Sequence, residues 1–289
     1  MNPTNTVTTE AENKFFILGD EHVFHLKSPE IFSAMMNLVG MEGTYRSFNV
    51  ESGKISEAMN QLKYLKITGA NVAAPYKEAI MPYMDELSEG AMIIGSINTI
   101  VRKGDKFKGY NTNAIGFMDA LKEAGFEAAG KSALVFGTGG AARAVVFILN
   151  WVDSKPILIA GRSREKTGQV IRQIGGGEAC PLDTLLDRPL PVHLVVNATS
   201  VSSPEEAPEL AELADRLQLP DCELVIDLNY GRPRNFWQAM ADTHGIRFLD
   251  GLSTLINQAR RTFALWTGYH IEPDLISSII QNSNSTAQA

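Results

Sequence analysis

The chain has 289 residues, of which 44% are hydrophobic, and this is enough for two domains with separate apolar cores. Its formal charge of −7 argues against a general nucleic-acid binder, because contacts to phosphates require clustered Lys and Arg. We therefore expect a small-molecule partner, bound by a monomer or a homodimer.

The sequence predicts a cytoplasmic protein without membrane association. Its first fourteen residues lack the apolar core of a signal peptide, and nowhere do eighteen uncharged apolar residues follow one another. Cys180 and Cys222 are too few and too far apart for a metal site or a disulfide framework. We expect no metal, and two buried thiols in a reducing compartment.

The first part of the chain alternates short apolar runs with amphipathic stretches, a pattern typical of βα units that build a mostly parallel sheet. Helices are predicted near 29–39 and 53–65. The segment INTIVRKGDKFKGYN (97–111) predicts a β-hairpin with Lys103, Gly104 and Asp105 at its turn. Three runs predict strands: KFFILG (14–19), TYRSFNV (44–50) and ITGANV (67–72).

A helix at 117–127 is expected to cross into a second unit, whose strands carry continuous Val, Ile and Leu. Such runs are typical of strands covered on both faces. Helices are predicted at 250–268 and 273–281, and the polar tail QNSNSTAQA (281–289) is expected to be disordered. The four predicted strands are SALVFG (132–137), PILIAG (156–161), HLVVNA (193–198) and ELVIDL (223–228).

The segment ALVFGTGGAARAV (133–145) contains the strongest local motif. Gly137, Gly139 and Ala142 fit the spacing G-x-G-x-x-G/A directly after a strand and at the start of a helix. There the backbone can approach a pyrophosphate at the helix N-terminus. A tight strand-to-helix turn without a cofactor is the alternative.

The end of the next strand indicates which dinucleotide is bound. A site for NAD usually has an acidic residue there, whereas the segment AGRSREK supplies Arg162 and Arg164, which suit a 2′-phosphate. NADP is therefore the predicted cofactor. Glu165 weakens the electrostatic case, and two solvated surface arginines are the alternative.

A second group of polar residues follows predicted strands in the first half of the chain. Lys77 is expected at a strand-to-helix junction, Asn98 at the hairpin entry, and Asn111 and Asn113 at the hairpin exit. Functional groups of α/β proteins collect at such strand ends. Each residue alone would be read as a surface side chain, but together they form a candidate site. Asn113 raises a question, because an amide in a catalytic position cannot exchange a proton at neutral pH.

These motifs, in this order, resemble those of shikimate dehydrogenases and their quinate-oxidising relatives. The resemblance covers the chain from about Phe15 to Ile280. The matching segments are HLKSP (25–29), NVAAPYK (71–77), NTI (98–100), NTN (111–113), GTGGAAR (137–143), GRS (161–163), NATS (197–200) and DGLSTLINQA (250–259).

The resemblance implies an α/β fold made of two domains. An N-terminal α/β substrate-binding domain (1–115) would precede an NADP-binding, Rossmann-type domain with a doubly wound parallel sheet (116–254). C-terminal helices within 255–289 would pack back on the first domain. A cleft between the domains would hold the substrate against the nicotinamide.

The family's residue roles can be transferred to the matching positions. Lys77 and Asn113 take the catalytic positions, where the family places a lysine beside a carboxylate. Predicted substrate contacts are Ser28, Asn98, Asn111, Tyr230 and Gln258. Predicted cofactor contacts are Gly137, Gly139, Gly140, Ala141, Ala142, Arg162, Ser163, Arg164, Asn197 and Thr199.

The chain departs from the family pattern at several substrate positions. Asn113 replaces the carboxylate, Leu26 replaces the first of two serines that bind the substrate carboxylate, and Ala73 replaces a threonine. Four more replaced positions follow the NATS and DGL motifs: Ser202, Ser203, Ser253 and Thr254. Asn113 could orient a substrate hydroxyl while Lys77 alone moves the proton, could fit a different ligand, or could mark a protein that binds without turnover.

The sequence therefore predicts an NADP-dependent oxidoreductase that acts on a shikimate-like cyclic hydroxy acid. If the substrate is shikimate itself, the protein serves aromatic amino acid biosynthesis. One alternative is a catalytically impaired ligand-binding or regulatory paralogue on the same fold. Another is an unrelated Rossmann reductase with a folate-type substrate.

Overall fold

The computed structural model describes residues 13–21 and 26–278, which form two six-stranded sheets with helices around them. The first sheet has the strand order β2-β1-β3-β5-β6-β4, in which β1 runs parallel to β2 and β3, and β5 runs antiparallel to β3 and β6. Its elements are β1 (Asn13–Gly19), α1 (Ser28–Leu38), β2 (Gly43–Asn49), α2 (Ile55–Tyr64), β3 (Gly69–Val72), β4 (Glu86–Leu87), α3 (Glu89–Ile94), β5 (Thr99–Lys103) and β6 (Lys106–Tyr110).

The first three predicted strands, the first two predicted helices and the hairpin are confirmed within a few residues. The hairpin turn is Gly104–Asp105, and Gly104 has a φ of +60°, a value that glycine adopts without strain. The predicted helix after Lys77 is wrong. Residues 74–80 form successive turns, here called the Lys77 turn, and a short 3-10 helix follows at Met81–Tyr83.

The second sheet is entirely parallel and has the order β12-β11-β10-β7-β8-β9. The order reverses between β7 and β10, so the predicted doubly wound Rossmann fold is confirmed. The fourth to seventh predicted strands correspond to β7, β8, β10 and β11. The second sheet and the helices around it consist of β7 (Ala133–Phe136), α5 (Gly140–Trp151), β8 (Ile157–Gly161), α6 (Arg164–Ile174), β9 (Glu178–Pro181), β10 (Leu194–Asn197), α7 (Pro208–Asp215), β11 (Leu224–Asp227), α8 (Phe236–His244) and β12 (Arg247–Leu249).

Helix α4 (Thr112–Glu123) connects the two sheets and begins five residues before the predicted helix at 117–127. The start is set by Asn111, whose side-chain Oδ1 accepts a hydrogen bond from the backbone N–H of Ala114 at 3.2 Å. The proposed domain boundary at 115/116 therefore lies inside a helix.

Helix α9 (Gly251–Thr267) packs back on the first sheet, as predicted. Asp250 caps its first turn, and Gly268 ends it with a φ of +79°. Trp266 stacks on Phe15 with ring centroids 4.7 Å apart and donates its indole N–H to the carbonyl of Ile100 at 2.9 Å. Because α9 begins at Gly251, the proposed domain boundary at 254/255 also lies inside a helix. Residues 273–278 are helical, while the rest of the helix predicted at 273–281 and the tail 281–289 lie outside the described residues.

The expectation that both cysteines are buried is wrong. Cys180 and Cys222 are free and partly exposed, although burial still raises the pKa of Cys222 to about 11. Within residues 13–21 and 26–278, no helix has both the length and the apolar character needed to cross a bilayer.

Candidate active site and cofactor loop

The open end of the hairpin β5–β6 carries the centre of the candidate site. Asn98 is 3% exposed, and its Nδ2 lies 2.9 Å from Thr112 Oγ1, 2.9 Å from Asn113 Oδ1 and 2.8 Å from Gln258 Oε1. Its Oδ1 accepts the backbone N–H of Thr112 at 2.7 Å. Two N–H groups thus serve three acceptors, so Asn98 holds Asn113 and Gln258 in place and has no free group for a ligand.

Gln258 reaches this cluster because α9 approaches α4 very closely. A Cβ on Gly116 of α4 would lie 2.7 Å from the backbone N of Gln258, so only glycine permits the approach. Three buried hydroxyls also link these parts of the chain. The Oγ1 atoms of Thr99, Thr112 and Thr262 lie 2.9–3.0 Å from one another. The threonine cluster was not predicted, since Thr262 is far from the other two in sequence.

Asn113 and Gln258 each keep one free amide group. Asn113 is partly exposed and its Oδ1 accepts from Asn98, but its Nδ2 makes no hydrogen bond to the residues described. The Nε2 of Gln258 is likewise unpaired within the described chain. The site therefore offers two amide donors, which suit the acceptor oxygen of a carbonyl, a hydroxyl or a carboxylate.

The backbone of Lys77 is hydrogen bonded to the segment that carries Asn98. Its carbonyl accepts the N–H of Ile97, the neighbour of Asn98, at 2.9 Å. The side chain is partly buried, and its ammonium forms no ion pair within the described residues. Burial lowers the pKa of Lys77, because desolvation disfavours the charged form. A lysine with a lowered pKa loses its proton at a lower pH than an ordinary lysine, which favours a role in proton transfer.

Asn111 has a structural role that its predicted contact with substrate does not explain. Its Oδ1 caps α4, and its Nδ2 donates to the backbone carbonyl of Ser96 at 3.0 Å and to Ser96 Oγ at 3.1 Å. The side chain is 8% exposed. Both ends of the amide are thus used within the protein, and this favours positioning of α4 over direct binding.

Ser28 lies at the start of α1 in a buried network of hydroxyls. Its side chain is hydrogen bonded to Tyr45, whose own hydroxyl donates to Asn71 Oδ1 at 2.9 Å. Burial raises the pKa of Tyr45 well above its ordinary value. Leu26 and Ala73, at two of the departures from the family pattern, are partly buried against the apolar cluster of the first sheet and α9. This wall offers apolar surface where the family pattern has hydroxyls.

Tyr230 follows β11 and forms a hydrogen bond with the backbone of Lys27. Burial raises the pKa of its hydroxyl. The bond brings a residue of the Rossmann half beside Leu26 and Ser28 of the first half. Tyr230 thus lies where the two halves meet, as its predicted role requires, although the role itself stays a prediction.

The glycine loop (Gly137–Gly140) has the geometry of a phosphate-binding turn. Gly137 has a φ of +117°, and a Cβ there would lie 2.8 Å from the carbonyl oxygen of Ala198. Helix α5 starts after Gly139 without a side-chain cap, so its first N–H groups are available to an anion. Ala141 is partly exposed, whereas Ala142 is fully buried and packs α5 against the sheet.

Asn197 shapes the loop that contacts Gly137. It is fully buried; its Nδ2 donates to Asp227 Oδ1 at 2.8 Å, and its Oδ1 accepts from the backbone N and Oγ1 of Thr199. Asn197 therefore positions the loop, while its predicted contact with cofactor stays untested. Asp227, also fully buried, was not predicted, although an acid at the end of a hydrophobic strand is a visible signal.

Arg162 and Arg164 are exposed and form no ion pair with any residue described. Glu165, which was expected to weaken their field, accepts a hydrogen bond from Gln169 at 3.3 Å. Ser163 caps α6 by accepting the N–H of Lys166 at 3.3 Å. Two free guanidinium groups at the end of β8 fit the 2′-phosphate of NADP.

The fold and these sites define a class: a two-sheet α/β protein that has a Rossmann dinucleotide loop beside a cluster of one lysine and several carboxamides. Within the described residues, no group of three or more His, Cys, Asp or Glu could hold a metal ion. The glycine loop, the uncapped helix and the unpaired arginines fit a phosphorylated dinucleotide.

Comparison with known proteins gives the family. The shikimate dehydrogenase substrate binding domain matches residues 17–100, and the shikimate / quinate 5-dehydrogenase domain matches residues 120–251. The NADP(+)-dependent shikimate dehydrogenase of Desulforamulus reducens is 34% identical over 266 residues, 89% of this chain and 91% of the relative. The chain belongs to the shikimate dehydrogenase family.

Solved structures agree with this assignment. Shikimate dehydrogenase from Aquifex aeolicus superimposes with a TM-score of 0.83 at 29% identity, covering 93% of this chain and 97% of that chain. Shikimate 5-dehydrogenase from Thermus thermophilus, solved in complex with NADP(H) and shikimate, has a TM-score of 0.81 at 29% identity, covering 93% of this chain and 99% of that chain.

Proposed function

We propose that the protein is an NADP-dependent oxidoreductase that transfers a hydride reversibly between NADP(H) and a shikimate-like cyclic hydroxy acid. The observation that carries the proposal is the contact between the glycine loop and the segment that leads to Asn98. A Cβ on Gly140 would lie 3.1 Å from Ser96 Oγ, so the start of α5 touches the segment that carries Asn98. This contact supports a site in which a cofactor at the glycine loop lies near the proposed proton-transfer groups.

The glycine loop and Arg162 would hold NADP+, which would supply the hydride acceptor for the carbon that carries the substrate hydroxyl. Lys77 in its neutral form takes the proton of that hydroxyl, and in the reverse direction its ammonium returns a proton to the carbonyl oxygen. The oxidation thus yields a ketone, the reduced cofactor and a protonated Lys77. Because Lys77 has no carboxylate partner within the described residues, burial alone sets its lowered pKa.

Asn113 and Gln258 orient the substrate through their free amide groups. Both groups donate hydrogen bonds, and neither can exchange a proton at neutral pH. Donors at these positions can bind the oxygen of either the keto or the hydroxy form of the substrate, but cannot accept its hydroxyl proton. The apolar side chain of Leu26 takes the position of a serine that binds the substrate carboxylate in the family, so shikimate itself should bind weakly.

The proposal is tested by measuring NADP+ reduction with shikimate, quinate and aminoshikimate. Turnover of at least one of them is expected, and Lys77→Ala should abolish it while NADPH binding is retained, because Lys77 belongs to the first sheet's half. Tight ligand binding without turnover in the wild type would instead support the impaired, ligand-binding paralogue.

Three further properties complete the proposal. Along the sequence, the two parts of a substrate-binding domain, residues 1–115 and 255–289, flank an NADP-binding domain of residues 116–254. Helices α4 and α9 span the two boundaries. The protein is a monomer or a homodimer in the cytoplasm. If shikimate is the substrate, it acts in aromatic amino acid biosynthesis.

A further inference from the structure

Arg143 connects the helix behind the glycine loop to the first half of the chain. It belongs to the first turn and a half of α5, and it is 9% exposed. Its Nε donates to the carbonyl of Ile94 at 2.8 Å and its Nη2 to that of Gly95 at 3.4 Å. Its Nη2 also lies 2.5 Å from Glu78 Oε1. One planar guanidinium thus binds two separate segments of the other half.

The first of these segments is the C-terminal end of α3. Gly95 ends the helix with a φ of +66°, which exposes the last carbonyl groups. Arg143 donates hydrogen bonds to two of these carbonyls, and Gln173 of α6 donates to a third, that of Ile93, at 3.1 Å. A cation is favoured there, because the helix C-terminus carries partial negative charge.

The second segment is the Lys77 turn, since Glu78 is the residue after Lys77. The carbonyl of Lys77 in turn accepts the N–H of Ile97, three residues beyond Ile94. The two anchoring points of Arg143 are thus the two stretches of chain that meet at Lys77. Gln173, by contrast, has no bond to the Lys77 turn within the described residues.

We infer that Arg143 is a positioning residue, which transmits the seating of NADP in the glycine loop to the Lys77 turn and so fixes Lys77 relative to the cofactor. The rigid guanidinium allows little change in angle between its partners. A flexible substitute would leave α5 and the turn free to move separately. The kinetic consequence rests on the proposed function, whereas the structural link does not.

Steady-state kinetics of Arg143→Met test the consequence for catalysis. A displacement of the order of 1 Å can reduce a rate by about 100-fold, so we expect kcat to fall by about 10- to 100-fold. The KM for NADP+ should change far less, because the glycine loop and Arg162 are untouched. Arg143→Lys should recover part of kcat. Gln173→Leu is the matched control at the same interface and should keep the wild-type kcat.

Hydrogen exchange tests the link without any turnover. In the wild type and in Gln173→Leu, NADP+ should slow exchange of the Ile97 and Ile80 amides, which donate to the carbonyls of Lys77 and Tyr76. In Arg143→Met, NADP+ should still bind but leave these amides unchanged. If Arg143→Met does not fold, Glu78→Gln, at an exposed carboxylate, should weaken the same effect.

The outcomes separate the two proposals. An equal slowing of exchange in wild type and Arg143→Met, or an unchanged kcat in that variant, would overturn the role of Arg143. A loss of thermal stability in Arg143→Met with normal kcat would also overturn it, since it would show a structural role only. If the wild type turns over no substrate but the exchange result holds, the proposed function fails and the link stands.

Discussion

Asn113→Asp is the substitution that most directly tests how this site works. The change preserves the size of the side chain, and the remaining oxygen can still accept the hydrogen bond from Asn98, which now measures 2.9 Å. The unpaired Nδ2 is replaced by a charged oxygen that accepts a substrate hydroxyl. We expect oxidation of shikimate to become faster, because an acceptor for the substrate hydroxyl replaces a donor in the site where we propose that Lys77 transfers the proton.

The gain expected from Asn113→Asp has a lower and an upper limit. A hydrogen bond to a charged group contributes ~1.5–3 kcal/mol and a neutral one ~0.5–1.5 kcal/mol, so the gain of about 1 kcal/mol is roughly fivefold in affinity for the hydroxy form. General acid and base contributions of about 10²–10⁴-fold set the upper limit for turnover. The gain should be smaller while Leu26 still provides an apolar wall, so the double variant with Leu26→Ser should exceed either single one.

Initial rates in both directions, over a range of pH, provide the assay. The new carboxylate should raise the pKa of Lys77, opposing the effect of burial, so the rise in the oxidation rate should move to higher pH. Asn113→Ala, which removes both amide groups, is the control and should not gain activity. If Asn113→Asp instead lowers a measurable wild-type rate on the true substrate, the amide was selected for a different ligand, and the shikimate interpretation must be abandoned.

Three further predictions concern the cofactor, the substrate carboxylate and pH. Arg162→Ala should weaken NADP binding by ~1.5–3 kcal/mol and NAD binding little, and a titration that shows no loss for NADP would contradict the assignment. Leu26→Ser should tighten shikimate roughly ten- to a hundred-fold, which equilibrium titration measures; low-micromolar binding by the wild type would show that another residue supplies the contact. Wild-type oxidation should rise with pH through the lowered pKa of Lys77, because only the neutral amine accepts a proton, and a rise near the ordinary value of about 10.4 would be inconsistent with the burial of Lys77.

The sequence predicts the sheets well because their signals are local. Continuous apolar runs mark the strands that are buried on both faces, such as β7 and β10. The short edge strands β4, β9 and β12 were missed, since half-exposed strands of two to four residues carry no such run. Their pairing depends on neighbours that are distant in sequence.

The same distinction applies to the site. The motifs identified Lys77, Asn98 and the glycine loop, but not the contacts that place them. Gln258 meets Asn98 across 160 positions, and Arg143 meets Glu78, which belongs to the half that carries the first sheet. Such partners are set by the packing of α9 on α4 and of α5 on α3, which no local pattern encodes. The start of α4, by contrast, could have been predicted from the capping ability of Asn111.

The departures from the family pattern at Asn113 and Leu26 leave the hydrogen bonds that hold the candidate site intact. Asn98 and Asn111 are retained, and both are saturated by hydrogen bonds within the protein. Asn113 keeps the one bond to Asn98 and leaves its other group free, while Leu26 supplies apolar surface only. The chain therefore keeps the hydrogen bonds of Asn98 and Asn111 that hold the candidate site, while the free amide group of Asn113 and the apolar side chain of Leu26 differ from the family pattern.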